Sequence, residues 1–156
     1  MVEVELVGVR GELPHNQPIV LLKERVGERY LPIWIGSVEA TSIARAMQGV
    51  ATPRPMTHDL MRDLLDALGT SVERVVVTEL RDGTFYADVV LGSEAREVVV
   101  SARPSDALAL AVRTACPVYA EETVLDEVGI EIEDEEEDEV ERFKEFLDEV
   151  TPDDFR

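Results

Sequence analysis

"VERVVVTELRDGTFYADVVL", residues 72–91, decides the fold. Its two ends, 72–80 and 84–91, are rich in β-branched and aromatic residues, the composition of strands. Between them "RDG" supplies Asp82-Gly83, a pair that accepts the positive φ angles of a tight hairpin turn. A hairpin sets its strands antiparallel, so the sheet it starts is not the parallel kind built from β–α–β crossovers. "REVVVSA" (96–102) adds a third strand through the turn at Gly92. Upstream, "VEVELVGV" (2–9) alternates Val and Leu with Glu at period two, the mark of a strand with one wet face. A turn through Pro14, Asn16 and Pro18 leads to a second strand over 18–24, and Gly27 connects it to "YLPIWIG", 30–36.

Helices fill the gaps. Ser37 is placed to cap the first, with Glu39 in its positive first turn and Ala40, Ile43, Ala44, Ala46 and Met47 near helical spacing. Thr57 is expected to cap the next, with Leu60, Met61, Leu64, Leu65 and Leu68 as its buried stripe and Gly69 ending it. The third runs from Pro104, whose missing N–H costs nothing in a first turn, to about Ala115, where Pro117 stops it. "PVYAEETVLDEVG" (117–129) reads as a short strand and a short helix. The order of strands, helices, strands, helix predicts an α+β domain over 1–129. Its sheet is mostly antiparallel, built from two strand-rich halves and packed with about three helices. Residues 130–139 read as an acidic linker, and 140–156 as an amphipathic helix and tail with Val140, Phe143, Phe146, Leu147 and Val150 on one face. That helix and the apolar 30–36 strand predict a homo-oligomer.

The net charge of −19 is unevenly placed. Residues 121–156 hold 18 acidic and 3 basic side chains, a net of −15, whereas the other 120 residues carry −4. A phosphate-binding face on the body is therefore compatible with the composition. Cys116 is the only cysteine, which excludes an internal disulfide and a cysteine zinc site; between apolar neighbours it reads as a buried structural thiol. No apolar run approaches the eighteen or so residues of a bilayer span. The first residues lack the basic region of a secretion signal, so a cytoplasmic location with no membrane partner is expected. There is no HExxH, GxGxxG, P-loop or Cys-His knuckle, and no Ser-His-Asp order is visible.

"YLPIWIGSVEATSIA" (30–44), "RPMTHDLMRDLLDALG" (54–69), "DGTFYADVVL" (82–91) and "SARPSDALALAVR" (101–113), in this order and spacing, resemble the bacterial bifunctional nuclease family. The ending "FKEFLDEVTPDDF" is similar to the tail of its actinobacterial members. The resemblance covers nearly the whole chain and implies phosphodiester hydrolysis of DNA or RNA, with Mg²⁺ or Mn²⁺ as a possible helper; a non-catalytic regulatory or binding module that assembles with itself is the alternative.

Such hydrolysis needs water activation, neutralised phosphoryl charge and help for the leaving oxygen. His58, in the first turn of a helix where the neutral ring is favoured, is the candidate base; as a bland alternative it is a polar surface residue beside its cap. His15 lies in the turn "LPHNQP" and reads as a surface residue. Arg54 and Arg103 each precede a proline at a helix start. There they could clamp a phosphate, with Thr57 and Ser105 beside them, or merely ion-pair with Asp59 and Asp106. Asp59 and Asp106 would share a metal only if the two helix starts converge. Glu39 is the remaining carboxylate candidate, Arg45 a further basic one, and Trp34 reads as core rather than as a stacking platform.

Overall fold

The computed structural model describes residues 1–10, 17–94 and 96–131. His15 and the segment 132–156, with its amphipathic stripe, lie outside the described residues. The elements run β1 (Val2–Arg10), β2 (Ile19–Glu24), β3 (Arg29–Trp34), α1 (Ser37–Met47), α2 (Thr57–Ala67), β4 (Ser71–Arg81), β5 (Thr84–Gly92), β6 (Glu97–Ala102), α3 (Pro104–Thr114), β7 (Val118–Ala120), α4 (Glu122–Val128) and β8 (Ile130–Glu131). β8 takes up the first two residues of the stretch read as linker and pairs Ile130 with Tyr30.

One eight-stranded sheet has the order β6-β5-β4-β7-β1-β2-β3-β8. The two strand-rich halves each form an antiparallel meander, joined in the middle by the three-residue β7. Its pairing with β4 is parallel, the sole parallel pairing among the described strands. The fold is α+β with a mostly antiparallel sheet, as expected. The Asp82-Gly83 hairpin has φ of +51° and +77°, the two left-handed residues that a type I′ turn requires.

α3 is the central helix. Pro104, Ser105, Ala107, Leu108, Ala109, Leu110 and Ala111 are all buried, because its small-residue faces let β4 and β5 approach on one side and α1 and α2 on the other. Leu22, Leu31, Ile33, Ile43, Val75, Val77, Leu108 and Leu110 form the heart of the core. Arg29 closes one flank, bonding Glu24, Glu122 (2.7 Å) and Asp126 (2.9 Å) and so tying β3 to α4.

Three local readings need correction. The residue before α1 is Gly36, and Ser37 is already helical. Met56, not Thr57, is the residue before α2, and its N–H donates to Asp59 Oδ2 at 3.0 Å. The expected buried stripe of α2 faces outward: Leu60, Met61, Leu64 and Leu68 are exposed, Leu65 is partly buried, and His58 is the helix's one buried residue. α2 rests on α3 rather than on the sheet, and of its apolar stripe only Leu65 packs against the core among the described residues. Trp34 is half-buried against Ile19 and Leu21, and burial raises the pKa of the half-buried Cys116 thiol.

Candidate active site

The starts of α2 and α3 converge on the first two turns of α1, bringing four of the candidate residues, His58, Asp106, Arg103 and Glu39, into one hydrogen-bonded chain. His58 Nε2 lies 3.0 Å from Asp106 Oδ1. Arg103 donates from Nε to the other oxygen of Asp106 (2.8 Å) and from Nη2 to Glu39 Oε1 (2.7 Å). Ser42 Oγ sits 2.7 Å from His58 Nδ1. Burial would raise the Asp106 pKa, but the bonds from Arg103 and His58 outweigh it and hold the carboxyl below its ordinary value. As an ionised carboxylate, Asp106 only accepts. The ring must therefore donate from Nε2–H, and in the neutral imidazole Nδ1 accepts the Ser42 hydroxyl proton.

A second arm holds this chain in place. Arg113, 6% exposed in its side chain, donates from Nε to Asp59 Oδ1 (2.6 Å), from Nη1 to the Ala109 carbonyl (2.8 Å) and from Nη2 to the Ser42 carbonyl (3.1 Å). One guanidinium thus binds α3 to both α1 and α2. Its bond to Asp59, helped by the Met56 N–H, lowers the Asp59 pKa. Asp59 is thereby a structural partner, and the pairing with Arg54 weighed from the sequence does not form: Arg113 has taken its place.

A cleft of about 790 Å³ opens over this network, between α1, the 49–56 loop and the starts of α2 and α3. Glu39, Ser42, Thr57, His58, Arg103 and Asp106 line it, together with Arg45. His58 is 6% exposed, so the ring reaches the cleft chiefly through its neighbours, whereas the Arg103 side chain is 66% exposed and faces it directly. Arg45 and Arg54 have no ion-pair partner among the described residues, but only Arg45 lines the cleft; Arg54 is exposed outside it. Ser105 lies apart from the cleft, buried and lining a second cavity.

The donor set does not fit a shared divalent cation as it stands. Among the described residues no three His, Cys, Asp or Glu side chains gather as a metal set. The oxygens of Asp59 and Asp106 already hold Arg113, Arg103, His58 and the Met56 N–H. Sequence reasoning missed Ser42 and Arg113. Ser42 is three residues after Glu39, and Arg113 is two turns after Asp106, so helical spacing was the signal available for both.

The fold and cleft define an α+β domain with a buried histidine wired to a carboxylate and an exposed arginine. Residues 20–133 match the bifunctional nuclease domain, and the chain belongs to that family. It is 54% identical over 165 residues to an uncharacterized protein of Mycobacterium tuberculosis, covering 100% of this chain and 99% of that one. It is similar to Bifunctional nuclease 2 of Arabidopsis thaliana, 32% identical over 114 residues, which is 69% of this chain and 35% of the plant protein. Bifunctional nuclease 1 of Oryza sativa subsp. japonica is 24% identical over 127 residues, 80% of this chain and 38% of that protein. The chain thus spans little more than a third of the plant relatives it matches. No helix among the described residues is long and apolar enough to cross a membrane.

Proposed function

We propose that the cleft hydrolyses phosphodiester bonds of DNA or RNA. The observation that carries this reading is the Ser42–His58–Asp106–Arg103–Glu39 chain opening beside Arg45, which has no ion-pair partner among the described residues. Arg103 and Arg45 supply positive charge for the phosphoryl oxygens. A water at Ser42 Oγ attacks phosphorus and passes its proton to that oxygen as the hydroxyl proton moves to His58 Nδ1. The P–O bond to the leaving oxygen breaks, that oxygen takes a proton from solvent, and Asp106 stabilises the imidazolium that forms. The names of the plant relatives support the same chemistry. The test is cleavage of single-stranded DNA and RNA, with and without Mg²⁺ or Mn²⁺. His58→Ala combined with Asp106→Ala is expected to lose activity about 100- to 10,000-fold. Ser42→Ala, where a water can take the place of the hydroxyl, loses far less. Full activity in the double variant refutes the reading.

A second reading, a binding module that assembles with copies of itself, is favoured by apolar surface exposed among the described residues. The outward stripe of α2 and the exposed Val98, Val99 and Val100 of edge strand β6 are the surfaces a second copy would cover. Light scattering that reports only a 17.4 kDa species at micromolar concentration rejects it.

A further inference from the structure

Among the described residues Arg103 alone lines both the cleft and a second cavity. The second cavity, about 640 Å³, lies where the end of β3, the tip of the β4–β5 hairpin and the start of α3 meet. β3 and β5 are far apart in strand order, so this meeting requires the sheet to curl. Its walls differ from those of the cleft. Trp34, Phe85, Pro32, Pro104 and Ile33 line the second cavity, and Arg103 is the only ionisable lining residue among the described residues. A volume of this size suits a ring system with an attached sugar. The polar groups are few and neutral. Ser105 is 6% exposed, and its hydroxyl has no hydrogen-bond partner among the described residues. Gln17 donates through Nε2 to the Ile35 carbonyl at 2.9 Å, which leaves its side-chain oxygen as an acceptor.

We infer that this second cavity is a nucleobase subsite, holding an unstacked base of the strand whose phosphate lies at Arg103. An occupant with two flat apolar faces, neutral donors and acceptors on its edge and a phosphate one sugar away matches these walls. Aromatic faces accept any base, and neutral polar groups read its edge. The inference rests on reading the cleft as a phosphodiester site, but base binding is measurable without hydrolysis.

Trp34 is the only tryptophan in the chain, so the tryptophan emission comes from a single ring in the wall of this cavity. The full chain is titrated with adenosine 5′-monophosphate and, separately, with ribose 5-phosphate. Adenosine monophosphate is expected to change Trp34 emission saturably, and ribose 5-phosphate to leave it unchanged. Phe85→Leu keeps most of the apolar volume but removes the ring face, and weakens nucleotide binding about ten-fold, within the range found for base–aromatic stacking, with an unchanged urea midpoint showing that the fold is intact. Ser105→Ala, a smaller change, weakens it less and alters the preference among the four nucleotides. Saturable binding with these effects upholds the subsite even if the chain cleaves nothing, a result that would overturn only the hydrolytic reading. No emission change at millimolar nucleotide, or equal responses to nucleotide and ribose phosphate, overturns the subsite even if cleavage is observed.

Discussion

Replacing Arg113 by Met keeps most of its buried volume but removes three donated bonds at once, to Asp59, the Ala109 carbonyl and the Ser42 carbonyl. Asp59, 21% exposed in its side chain, is left without its cation, though it keeps the Met56 N–H and some water. Breaking a buried pair by removing one partner costs about 3–5 kcal/mol, and the partial exposure of Asp59 places this case at about 3 kcal/mol. The sign with pH follows from the lowered Asp59 pKa, for which the Arg113 bond is the largest cause. A carboxyl with a depressed folded-state pKa contributes stability above its unfolded value and loses it as pH falls through the folded value. Urea unfolding of wild type and variant is therefore expected to differ by about 3 kcal/mol at neutral pH, with the gap narrowing below about pH 4. A gap under about 1 kcal/mol, or one that keeps its size into acid, would refute the assignment of Arg113 as the tie between the three helices.

Ala115 sits in the left-handed region at φ +57°, so Ala115→Gly is expected to stabilise the chain by about 1 kcal/mol, read as a higher urea midpoint; an unchanged midpoint argues against strain there. On the outward face of α2, Leu64→Glu with Leu68→Glu is expected to change unfolding free energy by less than about 0.5 kcal/mol while lowering any assembled mass in light scattering. A large loss of monomer stability would mean that the face is covered within one chain. Deleting 132–139, which spares Glu131 of β8, tests whether this acidic segment competes with nucleic acid for the arginines. Affinity at low salt should rise several-fold with a steeper salt slope, and unchanged values would make the segment a spacer.

Local chemistry determined much of this protein. Period-two patterning and the Asp82-Gly83 turn specify antiparallel meanders, and prolines and glycines mark where helices start and stop, because these preferences act within a few residues. The Arg103–Asp106 pair was legible for the same reason, since its partners are three residues apart. Ser37 and Thr57 were each read one position off because a hydroxyl residue suits both the cap and the first turn. What lies across the fold was not legible. Periodicity shows that α2 has an apolar face, but not whether another layer covers it. The partner of Asp59 is 54 residues away on α3, and the partner of Glu39 is 64 residues away. The central place of β7 depends on pairing a three-residue strand with two others distant in sequence. The sequence alone determined the element types, the meander halves and the family blocks. Only the tertiary structure decided that His58 is buried between Ser42 and Asp106, that Arg113 rather than Arg54 holds Asp59, and that Arg103 stands between two cavities. Those facts depend on how separate helices dock around α3, a long-range packing choice that local propensity does not encode.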